Sequence, residues 1–278
     1  MNTLISYITI LLFFMYSHSG ICQDSKMPSV FLEELTWTEV KAFIDNGNTS
    51  IIIPIGGTEQ NGPHMVLGKH NFRVKYMAKK IALGLGDALV APTIAHVPEG
   101  NIYPAEGWMK YPGTISFPET HYMKLLEYSC RSLKEHGFID IFLIGDSGGN
   151  QNGMKVVSET LNDAWKDSKT RVHFVSEYYD KPYIDIELTN SLIATGISKE
   201  ELGSHGGVLD VSFLLAIDSS LVRIEKLTHN DWSKEKKLEM GFSGDLSKVN
   251  IDIGNRLIQK TLEVSLLQIE SLKVDNRE

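Results

Sequence analysis

The apolar positions of the chain fall into short runs that alternate with longer segments carrying one apolar stripe. Four runs have the length and the polar boundaries of buried strands: Thr49–Ile55, Ala88–Ala95, Ile139–Ile144 and Val172–Glu177. Five segments have the spacing of amphipathic helices: Asn71–Leu85, Pro118–His136, Asn152–Lys166, Val208–Ala216 and Asn250–Leu272. Strands and helices in this order are typical of a parallel-rich sheet covered on both faces. The pattern therefore predicts a single α/β domain over residues 23–278, with helices on both faces of a central sheet.

Three segments that follow predicted strands are rich in glycine and polar residues. They are the loops Gly56–Asn71, Val97–Gly113 and Gly145–Gly153. In open parallel sheets, ligands bind beyond the carboxyl ends of the strands. We therefore expect these three loops to form a common ligand site.

The first residues of the chain have the pattern of a targeting segment. Residues 1–22 contain no Asp, Glu, Lys or Arg, and the apolar run Ile5–Tyr16 leads into small and polar residues. Gly20 and Cys22 suit cleavage by a signal peptidase before Gln23, and the run is shorter than the ~20 apolar residues of a membrane span. We predict a signal peptide over 1–22 and an exported protein, periplasmic or secreted, without a stable membrane span after processing. An uncleaved anchor and a lipoprotein joined through Cys22 are the alternatives.

Composition and charge narrow the classes of function. Hydrophobic residues make up 42% and charged residues 22% of the 278 residues, which are ordinary values for a globular protein. The net charge is -8, from 27 basic and 35 acidic residues, which argues against a nucleic-acid binder that neutralises phosphates. Two cysteines in the whole chain exclude a disulfide scaffold and a cysteine-rich zinc module.

The loop after the first predicted strand carries candidate metal ligands. Glu59, His64 and His70 lie within a dozen residues of one another. Carboxylate and imidazole groups without thiols suit Zn, Mn or Fe ions. A polar loop with solvated histidines, and a structural hydrogen bond for His64 in its Gly-Pro turn, fit the same residues.

Five blocks along the chain form an ordered set of motifs. They read PIGGTEQNGPHMVLGKHN over 54–71, YPGTIS over 111–116, GDSGGN over 145–150, HGGVLDVS over 205–212, and a glycine-rich segment over 241–254. In this order they resemble the creatininase family of metal-dependent amidohydrolases. The resemblance implies a creatininase-like fold, a homo-oligomer, and hydrolysis of a C–N amide bond in a small, possibly cyclic molecule.

The chain departs from the family at the positions of the metal ligands. The resemblance implies a two-metal centre held by the Glu and His of an E-Q-H motif, the Asp of a T-D pair and the His of an N-G-H motif. This chain has Glu59, Asn61, His70 and Ser147 at those positions, so only the glutamate is retained. Trp108 stands where relatives often carry a further histidine before the YPGTIS block.

Two interpretations of the altered site follow. In the first, Glu59, His70 and Asp146, joined by His64 or Asp210, hold one divalent metal per chain, Zn or Mn with Fe as a further option. An imidazole nitrogen offers one lone pair, so His70 in place of a bridging carboxylate favours one ion over two. In the second, the protein is a catalytically inactive homologue that binds a small molecule or another protein.

The first interpretation assigns roles to five further residues. A metal-bound water would attack the amide, and His205 would pass a proton to the leaving amine, with Asp210 as a second catalytic residue. Trp108, Ser147 and Asn150 are the predicted contacts to the substrate. His205 could instead cap the following helix, and Trp108 could be a packing residue.

The letters GDSGG over 145–149 also occur around the nucleophile of trypsin-like proteases. Those enzymes are all-β double barrels, whereas this segment joins an apolar strand to a helix in an alternating chain. The glycines instead suit a tight turn between strand and helix, where the backbone must bend and a ligand can approach. We therefore do not expect Ser147 to be a protease nucleophile.

Overall fold

The computed structural model describes residues 27–184, 186–194, 196–227 and 232–275. Besides short 3-10 turns, these residues form strands and helices in the following order: α1 (Trp37–Asp45), β1 (Ser50–Ile55), α2 (Lys69–Leu85), β2 (Ala88–Val90), α3 (Glu119–Glu135), β3 (Asp140–Gly145), α4 (Gln151–Ala164), β4 (Arg171–Phe174), α5 (Glu177–Ile184), α6 (Ile186–Ala194), α7 (Lys199–Leu202), α8 (Val208–Ile217), α9 (Lys234–Glu239) and α10 (Ile251–Asp275).

The amino-terminal segment lies outside this description. The predicted signal peptide over 1–22 falls on residues that are not described, so its cleavage and the export of the protein stay predictions. Of the helices in the described ranges, none combines the length and the apolar character that crossing a bilayer requires.

The strands of the described residues form one parallel sheet in the order β2-β1-β3-β4. The central strand β1 pairs with β3 along its whole length, from Ser50 opposite Asp140 to Ile55 opposite Gly145. Every residue of β1 and β3 is buried, as expected for a sheet covered on both faces. The predicted α/β domain with a parallel central sheet is confirmed.

Helices cover both faces of this sheet. Because successive side chains of a strand point to opposite faces, Ile52 packs into a core built with α2, α8 and α10. Ile51 and Ile53 pack on the other face, into a core built with α1, α3 and α4. The loops after β1, β2 and β3 lie at the carboxyl edge of this sheet, together with the first turns of α2 and α8.

The second strand is shorter than predicted. The sequence pattern indicated a strand over 88–95, whereas β2 ends at Val90. The N–H of Ala91 still donates to the carbonyl oxygen of Ile52 at 2.8 Å. The next hydrogen bond to β1 comes from the N–H of Ile94, three residues later and not two, and it reaches the carbonyl oxygen of Pro54 at 2.9 Å. One extra residue therefore breaks the regular pairing. Pairing returns only at Ile94, whose carbonyl accepts from the N–H of Gly56 at 2.9 Å. The chain then leaves the sheet and forms one wall of the cavity described below.

Helix α2 begins two residues earlier than predicted, at Lys69 instead of Asn71. The earlier start places Lys69, His70 and Arg73 in the first two turns of the helix, and all three are buried there. Positive side chains at a helix amino terminus are unfavourable, because that end of the helix already carries positive partial charge. Contacts with other parts of the fold must therefore stabilise this arrangement.

Helix α10 crosses α8 at Gly254. A methyl group on Gly254 would overlap the backbone oxygen of Ser212, so the two helices approach as closely as a glycine allows. The contact matters for the site, because α8 carries Asp210 to the end of the sheet.

Replacement of this glycine is expected to destabilise the protein. Gly254→Ala should lower the free energy of unfolding by about 2 kcal/mol, because overlap with a backbone atom outweighs the better helix propensity of alanine. Urea denaturation would measure the change. Asn255→Ala, at the adjacent exposed position of α10, is the control and should change stability by less than about 0.5 kcal/mol. Equal stability of wild type and Gly254→Ala would contradict the close crossing.

Candidate active site

A cavity of about 730 Å³ lies at the carboxyl ends of the strands. All three of the glycine-rich loops reach it, and their contributions include Glu59 after β1, Glu99 and Trp108 after β2, and Asp146 and Ser147 after β3. The three loops therefore meet at one cavity, and ligand binding there stays a prediction.

The imidazole of His70 lies between two carboxylates at the bottom of this cavity. Its Nε2 atom is 2.7 Å from Oε1 of Glu59, and its Nδ1 atom is 2.7 Å from Oδ2 of Asp146. Ionised carboxylates only accept hydrogen bonds, so a ring held between two of them donates from both nitrogens, as an imidazolium does. Burial lowers the pKa of His70, but its contacts with Glu59 and Asp146 outweigh burial and raise that pKa above the usual value.

Two further cations, Lys69 and Arg73, contact Glu59 and Asp146 and join them to a third carboxylate, Asp210. Nζ of Lys69 is 3.0 Å from Oδ2 of Asp210 and 3.8 Å from Oε1 of Glu59. Nη1 of Arg73 donates to Oδ1 of Asp210 at 2.7 Å, and its Nε atom is 3.3 Å from Oδ2 of Asp146. We call the six side chains of this network the charged floor: Glu59, Lys69, His70, Arg73, Asp146 and Asp210.

The cations of the charged floor keep Glu59 and Asp210 ionised despite burial. Burial opposes the ionisation of Glu59, yet the positive charges of His70 and Lys69 lower its pKa to about 2. Burial likewise opposes the ionisation of Asp210, and Lys69 and Arg73 hold its pKa well below the usual range. Asp210, predicted as a catalytic residue, thus has both carboxylate oxygens engaged by protein cations.

Glu99, in contrast to Glu59 and Asp210, has a raised pKa. Burial and the negative charge of Glu59 raise the pKa of Glu99 to about 9, so its carboxyl group carries a proton at neutral pH. Within the described part of the chain, Oε1 of Glu99 has no hydrogen-bond partner. Any side chain at Gly57 would overlap this oxygen, so the glycine is what allows the close approach.

His205 is held in one orientation at the wall of the cavity. Its Nε2 atom donates to the carbonyl oxygen of Gln60 at 2.8 Å, and its ring stacks on Trp108 with ring centroids 3.9 Å apart. Burial, reinforced by Lys69, lowers the pKa of His205, so the ring is neutral near pH 7. Since Nε2 holds the proton, Nδ1 is a free acceptor, and it lies 3.7 Å from Oε1 of Glu59.

His64, a predicted metal ligand, does not line this cavity as the described residues form it. Its Nε2 atom hydrogen-bonds to the carbonyl oxygen of Gly206 at 2.9 Å, and its ring meets Phe242 edge to face. Burial lowers the pKa of His64 to about 4, which keeps it neutral. The hydrogen bond of His64 thus reaches a distant loop and not its own Gly-Pro turn, and a role of His64 as a metal ligand stays a prediction.

The three predicted substrate contacts have different positions. Trp108 and Ser147 line the cavity, whereas Asn150 is fully buried behind its wall. The side-chain amide of Asn150 donates to the carbonyl oxygen of Gly56 at 2.9 Å and so joins the loop after β3 to the loop after β1. Ser147 accepts a hydrogen bond from the N–H of Gly149 and ends β3 with a tight turn into α4. The roles of these residues in substrate binding stay predictions.

The side chains of the charged floor do not fit a resident divalent metal. Glu59, His70 and Asp146 are brought together as predicted, but both ring nitrogens of His70 are already engaged by the two carboxylates at 2.7 Å. A histidine ligand needs a nitrogen without a proton. Within the described ranges, His, Cys, Asp and Glu side chains form no group of three arranged to hold an ion.

Sequence reasoning missed three residues of the site: Lys69, Arg73 and Glu99. The two cations had a detectable signal, because positions 69 and 73 share one helix face if the helix begins at 69. Glu99 gave no signal, since its protonation depends on burial against Glu59, which lies forty residues earlier in the chain.

Comparison with known proteins finds similar chains. The profile of the Creatininase family, described as creatinine amidohydrolase, matches residues 33–264. Creatinine amidohydrolase of Pseudomonas putida is 26% identical over 206 residues, covering 72% of this chain and 76% of its own length. Two solved structures, a glutamine variant of creatininase described as the Zn-Zn type and a Mn creatininase, are each 22% identical with a TM-score of 0.68. Each match covers 87% of this chain and 98% of the other.

Glu99→Gln is expected to change how stability depends on pH. The pKa of Glu99 is about 9 in the folded protein and near 4.5 in the unfolded chain. Between these values only the folded state holds the proton, so this group makes the folded state less stable as pH rises. Glutamine has the shape of the protonated acid and does not titrate. The denaturant midpoint of the variant should match that of wild type near pH 5 and exceed it at about pH 8.

Glu159→Gln is the matched control, because Glu159 is exposed on α4. Its midpoint should follow that of wild type at both pH values. A Glu99→Gln protein that is less stable than wild type at about pH 8 would show that Glu99 is ionised in the fold.

Proposed function

The chain belongs to the creatininase family, as the resemblance of its motifs predicted, and we propose that its cavity hydrolyses the C–N amide bond of a small molecule. The observation that carries the proposal is the orientation of His205. The carbonyl of Gln60 and the ring of Trp108 hold the imidazole so that its free Nδ1 atom lies beside the carboxylate of Glu59.

His205 acts as the general base in this proposal. Nδ1 of His205 and Oε1 of Glu59 are two acceptors 3.7 Å apart. A water molecule beside both atoms can donate one proton to each of them, which directs a lone pair of its oxygen into the cavity. As this oxygen attacks the carbonyl carbon of an amide, Nδ1 takes the proton, and the Glu59 carboxylate stabilises the resulting imidazolium.

Glu99 supplies the proton that the leaving amine needs. The raised pKa of Glu99 keeps its carboxyl group protonated at neutral pH, whereas the lowered pKa of His205 keeps its ring neutral. Groups whose environments push their pKa values apart are suited to act as acid and base of one reaction. The C–O bond forms, the C–N bond breaks, the amine leaves with the proton of Glu99, and the proton on His205 returns to Glu99 through solvent.

Lys69 contributes positive charge to the same cavity. A fixed ammonium group near the carbonyl oxygen stabilises the negative charge that develops on it during attack, and it does so most strongly where water is excluded. Every group in this scheme belongs to the chain. The Zn and Mn of the solved creatininase structures belong to those relatives and take no part in this scheme.

The alternative is a family member that binds a small molecule without hydrolysing it. The replacement of two positions that the family resemblance assigns to histidine ligands favours this alternative. Asn61 is buried and donates to the carbonyl oxygen of Glu59 at 2.8 Å, and Ser147 caps a turn. An amide and a hydroxyl group are weaker ligands for Zn or Mn than an imidazole.

His205→Gln is expected to lower kcat/KM for amide hydrolysis by about 100-fold or more, because it removes the general base. Release of amine from a panel of small linear amides, cyclic amides and formamides would be measured with chelator-treated protein. The control is His121→Gln, an exposed position on α3, which should have the activity of wild type.

The same panel of amides distinguishes a hydrolase from a protein that only binds the amide. Hydrolysis by wild type that His205→Gln retains in full would contradict the role of His205. Saturable binding of an amide by calorimetry, with no release of amine in chelator or in added Zn or Mn, would identify a binding protein and overturn the proposed hydrolysis.

A further inference from the structure

The contacts of the charged floor close into a ring of six alternating charges. Each carboxylate touches two cations, and each cation touches two carboxylates. Following the contacts in order, the ring runs through Glu59, His70, Asp146, Arg73, Asp210 and Lys69, and the last contact, at 3.8 Å, returns to Glu59.

We propose that this ring takes the place of a metal centre: Lys69, His70 and Arg73 are the permanent cations of the site, and the folded chain binds no divalent ion there. The inference does not rest on the proposed hydrolysis. It concerns the bottom of the cavity, and metal content and stability test it without any substrate.

The balance of charge is the first argument. With Glu99 protonated beside Glu59, three carboxylates face three cations. All six side chains of the ring are buried, from 1% exposed for Lys69 to 9% for Asp210. A divalent ion would add two positive charges to a buried group that is already neutral. Buried charges without partners are strongly unfavourable, so the ion could enter only if protein cations left.

The position of the cations is the second argument. Lys69, His70 and Arg73 all belong to the first two turns of α2, so the backbone of one helix fixes them together. The amino terminus of that helix adds positive potential at the same place. A metal ion would therefore enter a site that repels cations. The carboxylates of this site are already paired with cations that the backbone of α2 holds in place.

The contacts of His70 are the third argument. Its two nitrogens bridge Glu59 and Asp146, the two carboxylates that a metal would have to share with it. Coordination would require the loss of a proton from the ring and the loss of at least one of the two 2.7 Å contacts.

Metal content tests the proposal directly. The mature protein would be incubated with Zn²⁺ or Mn²⁺, passed through buffer and examined by elemental analysis beside Glu59→Gln. We expect wild type and variant to retain equal amounts of metal, and the Tm of wild type to be the same in chelator and in added metal. Roughly one ion or more per chain in wild type, lost in Glu59→Gln and accompanied by a lower Tm in chelator, would overturn the proposal.

Opening the ring tests it in a second way. Lys69→Met keeps the length of the side chain but leaves Glu59 and Asp210 short of positive charge, so Tm should fall by on the order of 10 °C. Lys79→Met makes the same exchange at an exposed position of α2, and its Tm should change by less than about 2 °C.

A double variant shows whether the loss comes from the ring. Asp210→Asn combined with Lys69→Met removes one negative and one positive charge that lie 3.0 Å apart. The fall in Tm of the double variant should be smaller than the sum of the two single falls. Additive falls would contradict a ring of coupled charges, and if Lys69→Met does not fold, the metal content of wild type decides the question.

Discussion

The structure depends on the burial of six charged side chains against one another. Each of them would be strongly unfavourable alone in the interior, and each is stabilised only because two partners of opposite sign lie within ion-pair distance. The partners come from the loop after β1, from α2, from the end of β3 and from α8. The ring therefore ties α2 and α8, which cover the same face of the sheet, to the carboxyl edge of the sheet. It also holds the first turns of α2 in an arrangement that the helix dipole disfavours.

The groups proposed for catalysis obtain their properties from this ring. Glu59 is ionised because of His70 and Lys69, and its negative charge in turn helps to keep Glu99 protonated. The same carboxylate lies beside Nδ1 of His205. One buried carboxylate thus connects the structural ring with the proposed acid and the proposed base, which is why changes at Glu59 should affect stability and chemistry together.

The sequence predicted the fold more completely than the site. Apolar runs and helical stripes depend on local spacing, so β1, β3 and the longer helices could be recognised. Strand β2 ends early because the pairing with β1 is irregular between Ala91 and Ile94, which only the structure shows. Glu59, His70, Asp146 and His205 were singled out by their motifs and do meet at one cavity. Their partners were not predictable, since the contact of Lys69 with Asp210 joins residues 141 positions apart.

The central claim is that His70 is a cation held between Glu59 and Asp146, and nitrogen-15 NMR of its side chain tests this most directly. Spectra of the chelator-treated protein at about pH 7.5, one unit above the ordinary histidine pKa, should show protons on both ring nitrogens of His70. Addition of Zn²⁺ should leave these signals in place. A single protonated nitrogen, or the loss of a ring proton when Zn²⁺ is added, would contradict the account.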